Sequence, residues 1–255
     1  MVNSRGIYLD IAGKKILLCP ASCGVVPNGA AVKSWHDLPP LLEVGQPVSG
    51  KNGALHFPAF SLELLLKKEE NHTEIHVPSA KALAKIAAVL RGRSESTGLA
   101  PLVYPLSGEP ADAMNPWCRM AHAPLQALLT ALEGNDLPSI APAVEQLLGL
   151  GPGLTPSGDD VLSGLMYGLR HSVWRNTAEC KTLTEAVCTM AKQKTTAVSA
   201  DYLLALAQDA PFERMANAWK NPETGAPALM EIGNNSGSEM LLGLLLAGQF
   251  LQKKG

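Results

Sequence analysis

Gly149-Leu-Gly-Pro-Gly-Leu-Thr-Pro-Ser-Gly-Asp-Asp160 runs directly into Val161-Leu-Ser-Gly-Leu-Met-Tyr-Gly-Leu-Arg170. The second half sets the fold of its neighbourhood. Val161, Leu162, Leu165, Met166, Leu169 and Val173 recur at helical spacing and predict a core helix over 159–174. The first half resists helix. Glycines 149, 151, 153 and 158 permit positive φ and close backbone approach, and Pro152 and Pro156 fix the chain between them. A tight loop that opens a buried helix presents unpaired N–H groups at the positive end of the helix dipole, which suits a small anion. The anion-binding candidates here are Gly151, Gly153, Thr155, Ser157 and Gly158, with hydroxyls at 155 and 157 to bond a phosphate or carboxylate. Asp159 and Asp160 are the candidate catalytic carboxylates. Successive helical residues point about 100° apart, so both are not expected to face one ligand. The loop lacks the Gly-Lys-Ser/Thr ending of a Walker A loop, and no basic residue follows it closely. Any counter-charge must come from elsewhere. A plain cap at Ser157 or Asp159 accounts for Ser-Gly-Asp-Asp alone. Four glycines and two prolines in twelve residues exceed what a cap needs. Ser163, Gly164 and Gly168 form a small face, read first as tight packing against another helix.

Outward from this stretch the C-terminal half reads as successive helices. Asn115-Pro116 pairs a cap with a first-turn proline. Helices follow over 116–133, 142–148, 178–192, 196–207 and from 236–238 to 253. Two further helix starts are polar. Thr195, Thr196 and Ser199 place three hydroxyls at one, where a threonine cap is the simplest reading. Asn235, Ser236, Gly237 and Ser238 open the other, and Ser236 with Glu239 fits a capping box. If the three starts converge, they line one anion pocket.

The N-terminal part has a different period. Ile7–Ile11 and Ile16–Leu18 flank Gly13-Lys14-Lys15 as a hairpin, and Pro27-Asn28-Gly29 makes a second turn before Ala30-Ala31-Val32. Leu41–Val48, Ala54–Leu66 and Glu74–Val77 are further strand candidates, broken by prolines at 39, 40, 47 and 58. Ser79 caps a helix with Leu83, Ile86, Ala87 and Leu90 on one face, ending at Gly92. Residues 91–110 read mostly as loop. The expectation is an α+β chain. A β-rich small barrel or sandwich spans 1–78, a helix and linking loop 79–114, and an all-helical domain with the glycine-rich loop 115–255.

Composition narrows the function classes. In 255 residues the net charge is -2 and only 17% of residues are charged. No basic stripe interleaves with aromatics, so no nucleic-acid partner is expected. Little charge is left to cover the surface, which fits a chain that docks on partner subunits. The five cysteines, an odd number without framework spacing, fit a reducing compartment. Cys19 and Cys23 have no second pair at zinc spacing, and the six histidines, His72 and His76 included, form no ligand motif, so no metal site and no cofactor are expected. Met-Val-Asn-Ser-Arg-Gly has no apolar signal core, and Met240–Leu251 is too short to span a bilayer, which needs about 20 residues. A cytoplasmic location is expected.

At the loop and the two later helix starts the chain resembles the AllH-like family. The twelve residues at 149–160 look like its signature. Thr195-Thr196-x-x-Ser199-x-x-Tyr202-Leu203 and Gly233-x-x-Ser236-Gly237-Ser238-x-x-Leu241-Leu242-Gly243 are similar to its second and third motifs. Pro27-Asn28-Gly29 looks like its N-terminal Gly-Pro-x-Gly turn. Ser157-Gly158-Asp159-Asp160 stands where the family often has Ser-His-Asp-Asp, and Asn-Ser-Gly-Ser-Glu239 stands where it often has Thr-Ser-Gly-x-Asp. The resemblance implies a subunit of a multi-protein carbamoyltransferase with AllF-like and AllG-like partners. The implied reaction exchanges oxalurate plus phosphate for oxamate plus carbamoyl phosphate in allantoin and purine degradation. A non-catalytic assembly subunit, or a different phosphate-handling enzyme such as a small-molecule kinase, stays open as an alternative.

Overall fold

Ile7 and Leu9 alternate with Tyr8 and Asp10, and this period of two builds the first sheet in the computed structural model, which describes residues 2–3, 6–63, 75–92, 97–110 and 114–254. Strands β1 (Val2–Asn3), β2 (Gly6–Ile11), β3 (Lys14–Pro20) and β4 (Gly29–Val32) lie in that order. β2 and β3 pair antiparallel with Ile7 opposite Leu18. Ala12 and Gly13 turn the hairpin at φ 52 and 81, so Lys14 and Lys15 belong to β3 rather than to the turn. β4 runs parallel to β3, with Leu17 opposite Gly29. A second sheet holds β5 (Ser49–Lys51), β6 (Ala54–His56) and β7 (Ser61–Glu63), antiparallel throughout. Ile7, Leu18, Val32, Trp35, Leu55 and Phe57 meet in one core.

The α+β class therefore holds, but among the described residues the strands form two small sheets and no closed barrel. Leu41–Val48 is not a strand. Pro39–Leu41 forms a 3-10 turn, and the stretch after it is irregular, because prolines at 39, 40 and 47 cannot donate to a ladder. Pro58 divides the stretch from Ala54 into β6 and β7, and residues 64–66 lie outside the described residues. So do Glu74 and His72, while residues 75–77 form no strand.

The chain divides into two units, Met1–Asn71 and His72–Gly255. The described helices of the second are α1 (Ala80–Arg91), α2 (Val103–Leu106), α3 (Pro116–Gly134), α4 (Leu137–Leu147), α5 (Ser157–Arg170), α6 (Ala178–Lys194), α7 (Ala197–Ala207), α8 (Glu213–Lys220), α9 (Pro222–Leu229) and α10 (Ser236–Lys254). The caps follow sequence chemistry. Ser79 accepts from Ala82 N, Asn115 from Cys118 N, and Thr196 from Ser199 N. Two expected boundaries move. α4 begins five residues before Pro142, with Pro138 in its first turn. α5 stops at Arg170, and Val173, counted in the apolar stripe, is 68% exposed. α8 and α9 fall in a stretch to which the sequence reading assigns no element, and which carries Pro211, Pro222, Gly225 and Pro227.

α5 and α10 are buried almost all round and form the centre of this unit. Gly164 lies against the Met240 carbonyl, and Gly243 against the Val161 carbonyl. A methyl at either would overlap backbone, so the small face is a helix crossing, as its spacing suggests. This crossing sets the N-terminal ends of α5 and α10 side by side. No helix among the described residues is long and apolar enough to cross a membrane.

Candidate functional site

The loop before α5 is shaped by glycine. Gly149, Gly151 and Gly153 have φ of 76, 116 and 100. Gly149 passes directly over the carbonyl of Lys194, so it needs both its positive φ and its missing side chain. The backbone N–H groups of Gly151, Gly153, Leu154 and Thr155 meet no acceptor among the described residues. Gly158 is different. Its N–H donates to Leu150 O at 2.8 Å, and its Cα packs on the Leu147 carbonyl.

α5 is capped by no side chain. Pro156 is its N-cap residue and Ser157 its first helical residue. Neither Ser157 nor Asp159 caps it. Asp159 instead turns towards α7. Its Oδ1 accepts from Gly149 N at 2.8 Å, and its Oδ2 accepts from the hydroxyls of Thr195 and, at 2.6 Å, Ser199. Burial pushes its pKa up, and the three hydrogen bonds pull it down. Thr196 caps α7 and donates its hydroxyl to Leu154 O. Thr195, Thr196 and Ser199 therefore bind the loop and its aspartate.

Asp160 faces the other way, towards α10. It is 3% exposed, and its Oδ2 has no hydrogen-bond partner. Burial, then the nearby charge of Glu239, raise its pKa well above the ordinary carboxylate value, against hydrogen bonding from Ser236 and Thr155. Glu239 is 1% exposed and accepts from Leu99 N at 3.1 Å. Burial raises its pKa too, against hydrogen bonds from Ser157 and Leu99. The capping box does not form, since Glu239 N donates to Asn235 O rather than to Ser236. The Ser236 hydroxyl instead meets that of Thr155 at 2.9 Å. Ser238 donates to Asn235 O at 2.6 Å, Asn235 reaches Thr97, and Gly237 packs on the Leu229 carbonyl.

The three sequence motifs thus meet in space. Residues 149–160 touch 195–199 through Asp159, and 236–239 through Thr155 and Ser157. A fourth segment, Thr97-Gly98-Leu99, completes the wall behind Glu239, and Asn115 holds it through Gly98 O at 2.7 Å. It lies in a stretch that reads as loop, and its only sequence mark is the glycine. Gly98 has no space for a side chain against Glu239. Among the described residues, no lysine, arginine or histidine acts on Asp159, Asp160 or Glu239.

Fold and site define an α+β protein in whose helical unit buried carboxylates cluster, without a basic partner among the described residues, where helix N-termini converge. The resemblance seen in the motifs is met at this stretch: residues 147–248 match the family described as oxamate carbamoyltransferase subunit AllH. The match contains the loop, α5, α7 and the start of α10, which are the elements that build the site. No solved structure matches the chain.

Proposed function

We propose that this chain is the anion-binding subunit of a carbamoyltransferase complex, with its site at the N-terminal ends of α5 and α10. The reaction is the exchange of oxalurate plus phosphate for oxamate plus carbamoyl phosphate, and the partners are AllF-like and AllG-like chains. The observation that carries this reading is Asp160 Oδ2, a buried carboxylate oxygen left without a partner beside hydroxyls and open N–H groups. Folding alone gives no reason to keep it there.

The oxyanion sits on the N–H groups of residues 151 and 153–155, with the hydroxyls of Thr155, Ser157 and Ser236 around it. Phosphate oxygen attacks the carbamoyl carbon of oxalurate, the carbon–nitrogen bond to oxamate breaks, and the negative tetrahedral centre between them is stabilised by the N–H donors. Asp160 stands at the reacting end and steers the departing nitrogen, which takes up a proton from water. Asp159 holds the loop and does not touch substrate. The cytoplasm is the compartment that fits this reading and the five free cysteines.

A thermal scan of the purified chain with and without phosphate or oxamate tests binding. A rise in melting temperature with either anion is expected, and it is reduced in Ser157→Ala. Turnover of oxalurate with phosphate by the assembled subunits is expected to fall at least about 100-fold in Asp160→Asn, through loss of the carboxylate at the reacting end. Unchanged turnover in both variants would remove the site from α5.

A further inference from the structure

We propose that Asp160 and Glu239 hold a divalent cation, Mg2+ or Mn2+, that enters together with the oxyanion, so that the site takes a metal–phosphate chelate rather than a bare anion. This rests on the anion reading above.

The argument starts from charge. An oxyanion placed at the N-terminal ends of α5 and α10 stands beside two buried carboxylates. Among the described residues, the basic groups that flank α5 and α7 are engaged elsewhere. Lys194, nearest in sequence to the α7 start, pairs with Glu145 at 2.6 Å, and Arg170 and Arg175 both bind Asp209. An anion beside ionised carboxylates in a buried site is repelled strongly, and a cation between them offsets that repulsion.

The surrounding atoms are of one kind. Asp160 and Glu239 supply carboxylate oxygens, and Thr155, Ser157 and Ser236 supply hydroxyl oxygens. Hard cations take oxygen ligands, and Mg2+ is usually held by one or two carboxylates plus the phosphates of its substrate. Asp160 Oδ2 is the second observation. The carboxyl it belongs to faces Glu239, Ser236 and Thr155, and the oxygen itself is enclosed by protein without a hydrogen-bond partner. Among the described residues no three acidic, histidine or cysteine side chains stand close enough to hold a metal alone. The missing ligands then come from the phosphate, and cation and anion bind jointly.

Joint binding is reciprocal, which makes it measurable. Phosphate affinity of the full chain is measured in chelator and in Mn2+, and Mn2+ affinity with and without phosphate by its spin resonance. Each is expected to tighten the other by the same factor, at least about fivefold. The coupling is lost in Asp160→Asn and in Glu239→Gln, and kept in Asp209→Asn at the far end of α5. Phosphate that binds equally well in chelator overturns the cation and leaves the anion reading standing. Mn2+ affinity unchanged in both carboxylate variants places the metal elsewhere and also overturns the proposal. Absence of phosphate binding under every condition removes the anion reading and the chelate with it.

Discussion

The two ends of α5 treat charge in opposite ways. At the C-terminal end Arg170 and Arg175 converge on Asp209 at 2.8 and 2.7 Å, and every full charge has a partner. At the N-terminal end Asp159, Asp160 and the facing Glu239 have only hydroxyls and N–H groups. Both ends belong to one helix packed on α10, so burial alone does not account for the difference. Paired charges at a half-buried corner are what folding tolerates. Uncompensated carboxylates in the interior work against folding, and carboxyls perturbed in this way cluster at functional sites. Within the unmatched end the contrast repeats on neighbouring residues, since Asp159 is fully bonded and Asp160 is not.

The comparison can be broken in order of effect. Asp159→Ala strands Gly149 N and the hydroxyls of Thr195 and Ser199, and is expected to cost about 4 kcal/mol in urea unfolding, the sum of unmet buried donors. A loss below about 1 kcal/mol would make Asp159 dispensable and blur its contrast with Asp160. At the other end His171 is 1% exposed, and burial pulls its pKa down to about 4. The unfolded chain then takes up a proton that the folded chain refuses between about pH 6.5 and 4. Stability falls as pH falls through that window, by about 2 kcal/mol from pH 6.5 to 5. His171→Phe keeps the stack on Tyr167 and is expected to remove this acid loss. The smallest effect is Asp209→Ala. Asp209 is 27% exposed, so solvent screens its pairs and the cost is about 1 kcal/mol by thermal unfolding.

Much of this was legible in the sequence where the chemistry is local. The caps at Ser79, Asn115 and Thr196 sit where side chain and period announce them. The hairpin of β2 and β3 is equally plain. α8 and α9 were hidden because Pro222 belongs to a first helical turn and Pro227 lies inside a helix, whereas a proline read alone signals a break. The polar helix starts were visible one by one, but their meeting depends on Gly164 and Gly243 admitting a backbone crossing. Glu239 looked like half of a capping box. Its true partner, Leu99, lies 140 residues away, and no local pattern carries that distance.

The unmatched end has a direct thermodynamic signature. A carboxylate whose folded pKa is raised binds a proton that the unfolded chain releases, so stability falls as pH rises from the ordinary value towards the raised one. Thermal unfolding of the wild type and Asp160→Asn from pH 5 to 8 isolates this term. The variant is expected to gain on the wild type as pH rises, by up to about 1.4 kcal/mol per pH unit, and to be the more stable of the two at pH 8. Parallel curves, or a variant that loses ground as pH rises, would mean that Asp160 is a satisfied structural group, and would contradict the account.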